Sequence, residues 1–208
     1  MALDLSSLLG PRRDDTVGTM VRGLIGSEIL RIAGEIRELV TQGKQVCNLT
    51  VGDFSPREFP IPASLGDAIS AALKAGETNY PPSDGVLALR QAVVRFYERA
   101  LGLKYPLESV LIAGGARPVI YAIFRAVVDA GETVIYPVPS WNNNHYSYMV
   151  GAKAVEVVTS PEHGFMPTVE QLAPHLSEAR LLCLCSPLNP TGTMISPEAL
   201  KDIGEFET

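Results

Sequence analysis

Residues 109–137 read SVLIAGGARPVIYAIFRAVVDAGETVIYP. The apolar run up to Ala113 ends on Gly114 and Gly115 and reads as a buried strand. RPVIYAIFRAVVDAG follows as a helix, and ETVIYP as a second strand apolar along its length. Strands that are apolar on both faces and separated by a helix indicate a parallel sheet covered on both sides.

The alternation continues downstream. WNNNHYSYMVG predicts a helix, AKAVEVV a strand, TVEQLAPHLS a helix and ARLLCLCSP a strand. Ser196 then caps a last helix, with Pro197 at its first position and Glu198 behind it. Upstream, Ile29, Ile32, Ala33, Ile36 and Val40 form one apolar stripe of a helix that Gly43 stops. Val46 to Val51 predicts a short strand, followed by a stretch rich in Gly and Pro. Ser64 and Asp67 have the spacing of a capping box for a helix ending near Gly76. Val86, Leu89, Val93 and Ala100 mark another helix, closed by Gly102. The fold class is therefore α/β, a three-layer sandwich around a mainly parallel sheet. Residues 1–60 are expected to form an N-terminal arm, a helix and part of a small domain, and 61–208 part of a larger one.

Hydrophobic residues make up 46% of the 208 and charged ones 19%, an ordinary globular balance that excludes a disordered chain. The formal charge of -6 argues against a general nucleic-acid surface. No apolar run nears the roughly 20 residues that cross a bilayer, and MALDLSSLLGPRRDD lacks the layout of a signal peptide. Cys47, Cys183 and Cys185 are an odd count and are expected to be buried thiols of a cytoplasmic protein.

In an open α/β sheet ligands collect at the carboxyl ends of the strands. At the first such end, Gly114 and Gly115 lead into a helix start where free N–H groups favour a phosphate and Arg117 adds charge. The spacing is neither that of a dinucleotide fingerprint nor that of a P-loop. At the second end stands Trp141, the single tryptophan, after a proline turn and before three asparagines. Its flat ring suits stacking on a planar ligand. After LLCLCSPL, Asn189 is placed to point an amide into the cleft, and its bond to Pro190 is a candidate for the cis form.

Five stretches in this order, NLTVGDFSP, NYPPSDGVLALRQAV, GGAR, SW and NPTG, resemble the N-terminal half of the class I/II aminotransferases. These are fold-type I enzymes that use pyridoxal 5'-phosphate, and the likeness runs from about Ser27 to the last residue. The resemblance implies that Gly52 meets a substrate α-carboxylate through its backbone. It implies that Gly115, Ala116 and Arg117 bind the cofactor phosphate, and that Tyr80 reaches across a homodimer interface to the partner's cofactor phosphate. Trp141 would stack on the pyridine ring and Asn189 would hydrogen-bond the phenolic oxygen. Two positions depart from the family pattern: Ala116 and Arg117 replace a frequent Ser, Thr or Lys, and Asn144 stands where some relatives carry His. The implied activity moves an amino group between an L-amino acid of aspartate, alanine or aromatic type and a 2-oxo acid, with no metal.

Lys44, Lys74, Lys104, Lys153 and Lys201 are the only lysines, and each reads as a solvated charge. The family's Schiff-base lysine, its pyridinium-binding Asp and its carboxylate-binding Arg lie after NPTG, so the catalytic lysine is expected beyond residue 208. The chain is accordingly expected to be a piece of a longer enzyme, with the large domain incomplete and inactive alone. Rival readings are a lyase or synthase with the same cofactor, a non-catalytic module, and a phosphate-binding α/β domain unrelated to pyridoxal.

Overall fold

The computed structural model describes residues 17–24, 26, 28–48, 52 and 55–206. They fall into two compact units, one from Gly26 to Pro118 and one built on Met1–Ile25 and Val119–Thr208.

The first unit is helical. In α2 (Glu28–Thr41), Ile29, Ile32, Ala33 and Ile36 are half-buried along the expected stripe but its last member, Val40, is exposed near the helix end, while Arg31 pairs with Glu28 and Glu35 on the outer face. Gly43, at φ 79°, ends it as predicted, and the Lys44 N–H closes on the Leu39 carbonyl at 3.1 Å. α3 (Ala63–Lys74) starts earlier than the Ser64–Asp67 spacing suggested and has no side-chain cap. Pro62 sits at its N-cap with extended backbone, and its carbonyl takes the first turn's N–H groups, so Ser64 is already inside the helix. α4 (Leu87–Leu101) ends on Gly102 at φ 69°, as expected.

Two predicted strands are not seen among the described residues of this unit. Residues 44–48 carry no regular structure, and 49–51 lie outside the described residues. After a 3-10 turn at Leu107–Ser109, Val110 is extended (φ -106°, ψ 118°), but 110–113 join no ladder. A strand exists through its neighbours, and among the described residues this stretch has a single strand-like bond, from the Ile112 N–H to the Asp84 carbonyl at 3.0 Å.

The second unit holds α1 (Thr19–Arg22), most of α5 (Ala116–Val127), β1 (Thr133–Val138), α6 (Asn143–Val150), β2 (Lys153–Val158), α7 (Val169–Leu176), β3 (Ala179–Leu182) and α8 (Pro197–Phe206). The strands form a parallel sheet in the order β2-β1-β3, with Thr133 opposite Lys153 and Ala179. Alternation along β1 builds the three layers. Val134 and Tyr136 face Phe124, Val128, Tyr146 and Val150 of the α5 and α6 layer. Ile135 faces the other way, onto Leu172 and Ile203 of the α7 and α8 layer. This is the sandwich read from the alternation.

Local signals set the ends. α7 carries the capping box absent from α3: Thr168 accepts from the Gln171 N–H, and its own N–H donates to Gln171 Oε1 at 3.0 Å. Ser196 caps α8 as predicted, accepting from the Ala199 N–H at 3.0 Å. β3 stops at Leu182, short of the run through Pro187. The cysteines differ from expectation, since only Cys183 is half-buried while Cys47 and Cys185 are exposed. No described helix is long and apolar enough to cross a membrane.

Candidate functional site

β1 and β3 are parallel neighbours, so the loops leaving them emerge at the same edge of the sheet. The β1 loop carries Trp141. Its ring is half-buried, after a cis Val138–Pro139 bond and before Asn142, which occupies the left-handed region at φ 64° as the N-cap of α6. Asparagine tolerates that backbone better than most residues. One of the three asparagines after Trp141 is thus explained by the turn that aims the chain into the helix. Asn144 is exposed on the first turn of α6.

The β3 loop carries Asn189, and the NPTG turn is closed on itself. The Leu188 N–H donates to the Thr193 carbonyl and the Gly192 N–H to the Leu188 carbonyl, both at 2.7 Å. Gly192 adopts φ 75°, which favours glycine, and the Thr191 and Thr193 hydroxyls bond each other at 2.7 Å. Ser186 Oγ accepts from the Ile195 N–H at 3.1 Å and ties the far side of the loop. Leu188 is the anchor, 3% exposed, and Asn189 beside it is exposed. Both the Ser186–Pro187 and Asn189–Pro190 bonds are cis. The sequence pointed to Asn189 but not to Leu188; a single leucine after Ser-Pro carries no periodicity that would mark it as buried.

Three further predicted positions open α5. Gly115 has φ 128° and needs glycine, and a side chain built on Gly114 would meet nothing within 4 Å. The backbone here is open, the first turn of this 12-residue helix holds no acidic residue, and Arg117 lies in it, exposed. That donor set suits an anion. Within its own unit, the open helix start with its arginine has the donors a phosphate needs. In the other unit, a half-buried indole and an exposed amide stand on loops leaving the same edge of the sheet.

Gly115, Ala116, Arg117, Tyr80 and Gly52 belong to the first unit, Trp141 and Asn189 to the second. Tyr80 is wholly exposed between Asn79 and Pro81. Gly52 is exposed, and a side chain there would meet nothing within 4 Å. All five lysines are exposed, with Lys104 paired to Glu98 and Lys201 to Glu205. Among the described residues no group of His, Cys, Asp or Glu is placed to hold a metal.

Burial tunes two groups of the sheet, Tyr136 in β1 and Cys183 just after β3. Desolvation, with help from Glu156, raises the Tyr136 hydroxyl well above its ordinary range, and that hydroxyl donates to Glu156 Oε1 at 3.0 Å. Burial alone pushes the Cys183 thiol up to about 11, so it is no nucleophile at neutral pH.

An aspartate aminotransferase from Geobacillus stearothermophilus is 32% identical over 187 residues, covering 89% of this chain and 47% of that protein. One from Bacillus sp. (strain YM-2) is 29% identical over 194 residues, covering 92% and 49%. Among solved structures, the aspartate aminotransferase from Rhizobium meliloti superposes with a TM-score of 0.82 at 29% identity, over 92% of this chain and 48% of that one. The chain spans about half the length of the relatives it matches. The family model for aminotransferase class I and II matches residues 44–207, and the chain belongs to that family.

Proposed function

We propose that this chain is part of a pyridoxal-phosphate-dependent aminotransferase that moves an amino group between an L-amino acid and a 2-oxo acid, as a cytoplasmic homodimer. The observation that carries the reading is the pairing of Trp141 and Asn189 on loops leaving the carboxyl ends of neighbouring parallel strands. When bound, pyridoxal phosphate supplies the electron sink for the transfer.

The chain's own residues bind and orient. The α5 start, with Gly115, Ala116 and Arg117, takes the phosphate through N–H groups and the guanidinium. Tyr80 adds a hydroxyl donor to the partner subunit's phosphate, which suits its full exposure here. Trp141 covers one face of the ring and keeps water from it. Asn189 donates its amide N–H to the phenolic oxygen and favours the ionised form of that oxygen. Gly52 offers its backbone to the substrate carboxylate. Holding the transferred proton falls to a lysine outside residues 1–208, since the five present are exposed solvated charges.

The relatives named above are aspartate aminotransferases, which favours aspartate as donor among the aspartate, alanine and aromatic types. It also disfavours a lyase or synthase with the same cofactor. The test is a product assay on the protein with aspartate and 2-oxoglutarate on one side and cystathionine on the other. Borohydride trapping with pyridoxal phosphate and peptide mapping accompanies it. Oxaloacetate and glutamate as products, with the label on a lysine beyond Thr208, support the proposal. Cystathionine cleavage without amino transfer, or no stoichiometric label, overturns it.

A further inference from the structure

Arg90 lies on α4 and is none of the residues assigned above, yet its side chain is only 11% exposed. Each guanidinium nitrogen has a separate partner. Nη1 pairs with the Asp84 carboxylate, Nε donates to the Val110 carbonyl at 2.8 Å, and Nη2 to the Leu107 carbonyl at 2.7 Å. Three segments therefore meet on one planar group: the Pro82–Gly85 turn, the Leu107–Ser109 turn and the extended stretch after it.

The backbone locks the same junction. The Asp84 carbonyl accepts the Ile112 N–H at 3.0 Å, and the Gly85 N–H closes its turn on the Pro82 carbonyl at 2.9 Å. Gly85, buried and at φ 103°, lies so close to Ile112 that a side chain on it would come within 2.6 Å of Ile112 Cβ. The two proposed phosphate-binding elements hang from this knot by short linkers. Tyr80 precedes the turn by Pro81 alone, whose ring fixes its backbone, and Gly114 follows Ile112 by one residue. All of these residues lie in one unit.

We infer that Arg90 is the positioning residue of the phosphate-binding elements, setting where Tyr80 and the Gly114–Arg117 loop stand. The inference rests on the proposed function. In the homodimer, Tyr80 serves the partner's cofactor and the loop its own, so each knot holds part of two sites. Lysine cannot take over, because one ammonium cannot serve three diverging acceptors as a planar fork does.

The test is Arg90→Lys in the full-length protein, measuring Kd for pyridoxal phosphate and for pyridoxal, which lacks the phosphate, together with the urea midpoint. The expected result is an affinity for pyridoxal phosphate lower by about tenfold with pyridoxal binding within about twofold, a loss specific to the charged ester. A merely structural arginine would lower the urea midpoint and leave the ratio of the two constants where it was; an unmoved ratio overturns the inference. Should Arg90→Lys not fold, Asp84→Asn, at a half-exposed site, is expected to weaken pyridoxal phosphate relative to pyridoxal by about threefold, and an unmoved ratio there sinks it equally. A wild-type protein with no preference for pyridoxal phosphate over pyridoxal removes the proposed function and this inference together. A wild-type preference with unmoved variants removes the inference alone.

Discussion

Leu188→Ala tests whether the NPTG turn is held from below. Leu188 is 3% exposed and precedes Asn189, and both backbone bonds of the turn that involve it survive truncation, since they use its N–H and carbonyl. What is lost is the anchor. Removing three carbons costs roughly 0.8 kcal/mol each in transfer, and a residual cavity adds to that. The neighbours Asn189 and Pro190 are exposed and free to settle into the space, so the total should be about 2–3 kcal/mol, toward the low end for buried leucines. With a urea slope of about 2–3 kcal/mol/M, the midpoint should fall by about 1 M. Under the proposed function the turn also aims Asn189 at the cofactor, so pyridoxal phosphate should bind about tenfold more weakly by absorbance titration. Leu188→Met, which conserves volume, should keep the affinity and cost under about 1.5 kcal/mol. A Leu188→Ala protein that loses less than about 1 kcal/mol refutes the anchoring argument. One that loses the expected stability with cofactor affinity intact shows that the anchor does not orient Asn189.

Three further predictions follow from single residues. Asn189→Ala should weaken cofactor binding by about 1 kcal/mol, roughly fivefold, and shift the bound cofactor's absorbance, both read in one titration. Thr168→Ala should cost about 1 kcal/mol in urea by removing half of the α7 capping box, with Thr168→Ser recovering most of it. Cys183, held at about 11, should react with maleimide at pH 8 on the order of a hundredfold more slowly than exposed Cys47 and Cys185, as peptide mapping would show. Because its folded value lies above the ordinary 9.0, the stability it contributes is complete below pH 9 and is lost as pH rises toward 11; a fold equally stable at both would contradict its burial.

The parts of this fold legible in the sequence are those whose cause is local or periodic. The residues of β1 are buried on both faces, and an unbroken apolar run records that directly. Gly43, Gly102 and Ser196 act within a turn of their own helices, and each does what its position suggested. One miss has a nonlocal cause. Residues 110–113 have strand composition, yet strand identity depends on a neighbour that no local pattern supplies. The Ser64–Asp67 spacing imitated a capping box, but Pro62 had already begun the helix. Thr168 and Gln171, at the same spacing, form the true box. At the site, Trp141 and Asn189 were readable because they follow apolar strands. Leu188 and Arg90 were not, since one is buried by a loop folding onto itself and the other by carbonyls 17 and 20 residues away.

The division of the chain into units bears on how the proposed chemistry is shared. The groups suited to an anion, Gly115, Ala116, Arg117 and Tyr80, belong to one unit, where Arg90 laces their supporting segments together. The groups suited to the ring, Trp141 and Asn189, belong to the other, where β1 and β3 fix the loops that carry them. Grip on the phosphate and control of the ring thus depend on different local structures. Substitutions should then separate: those near Arg90 should act on discrimination between phosphorylated and unphosphorylated cofactor, and those near Leu188 on the spectrum and on affinity for both. Under the proposed function, a chain built this way binds and orients without moving a proton, because none of its exposed lysines belongs to either group. Under the proposed function, residues 1–208 should bind pyridoxal phosphate without turnover, and turnover should need the lysine proposed to lie beyond them; turnover by residues 1–208 alone would refute that division of labour.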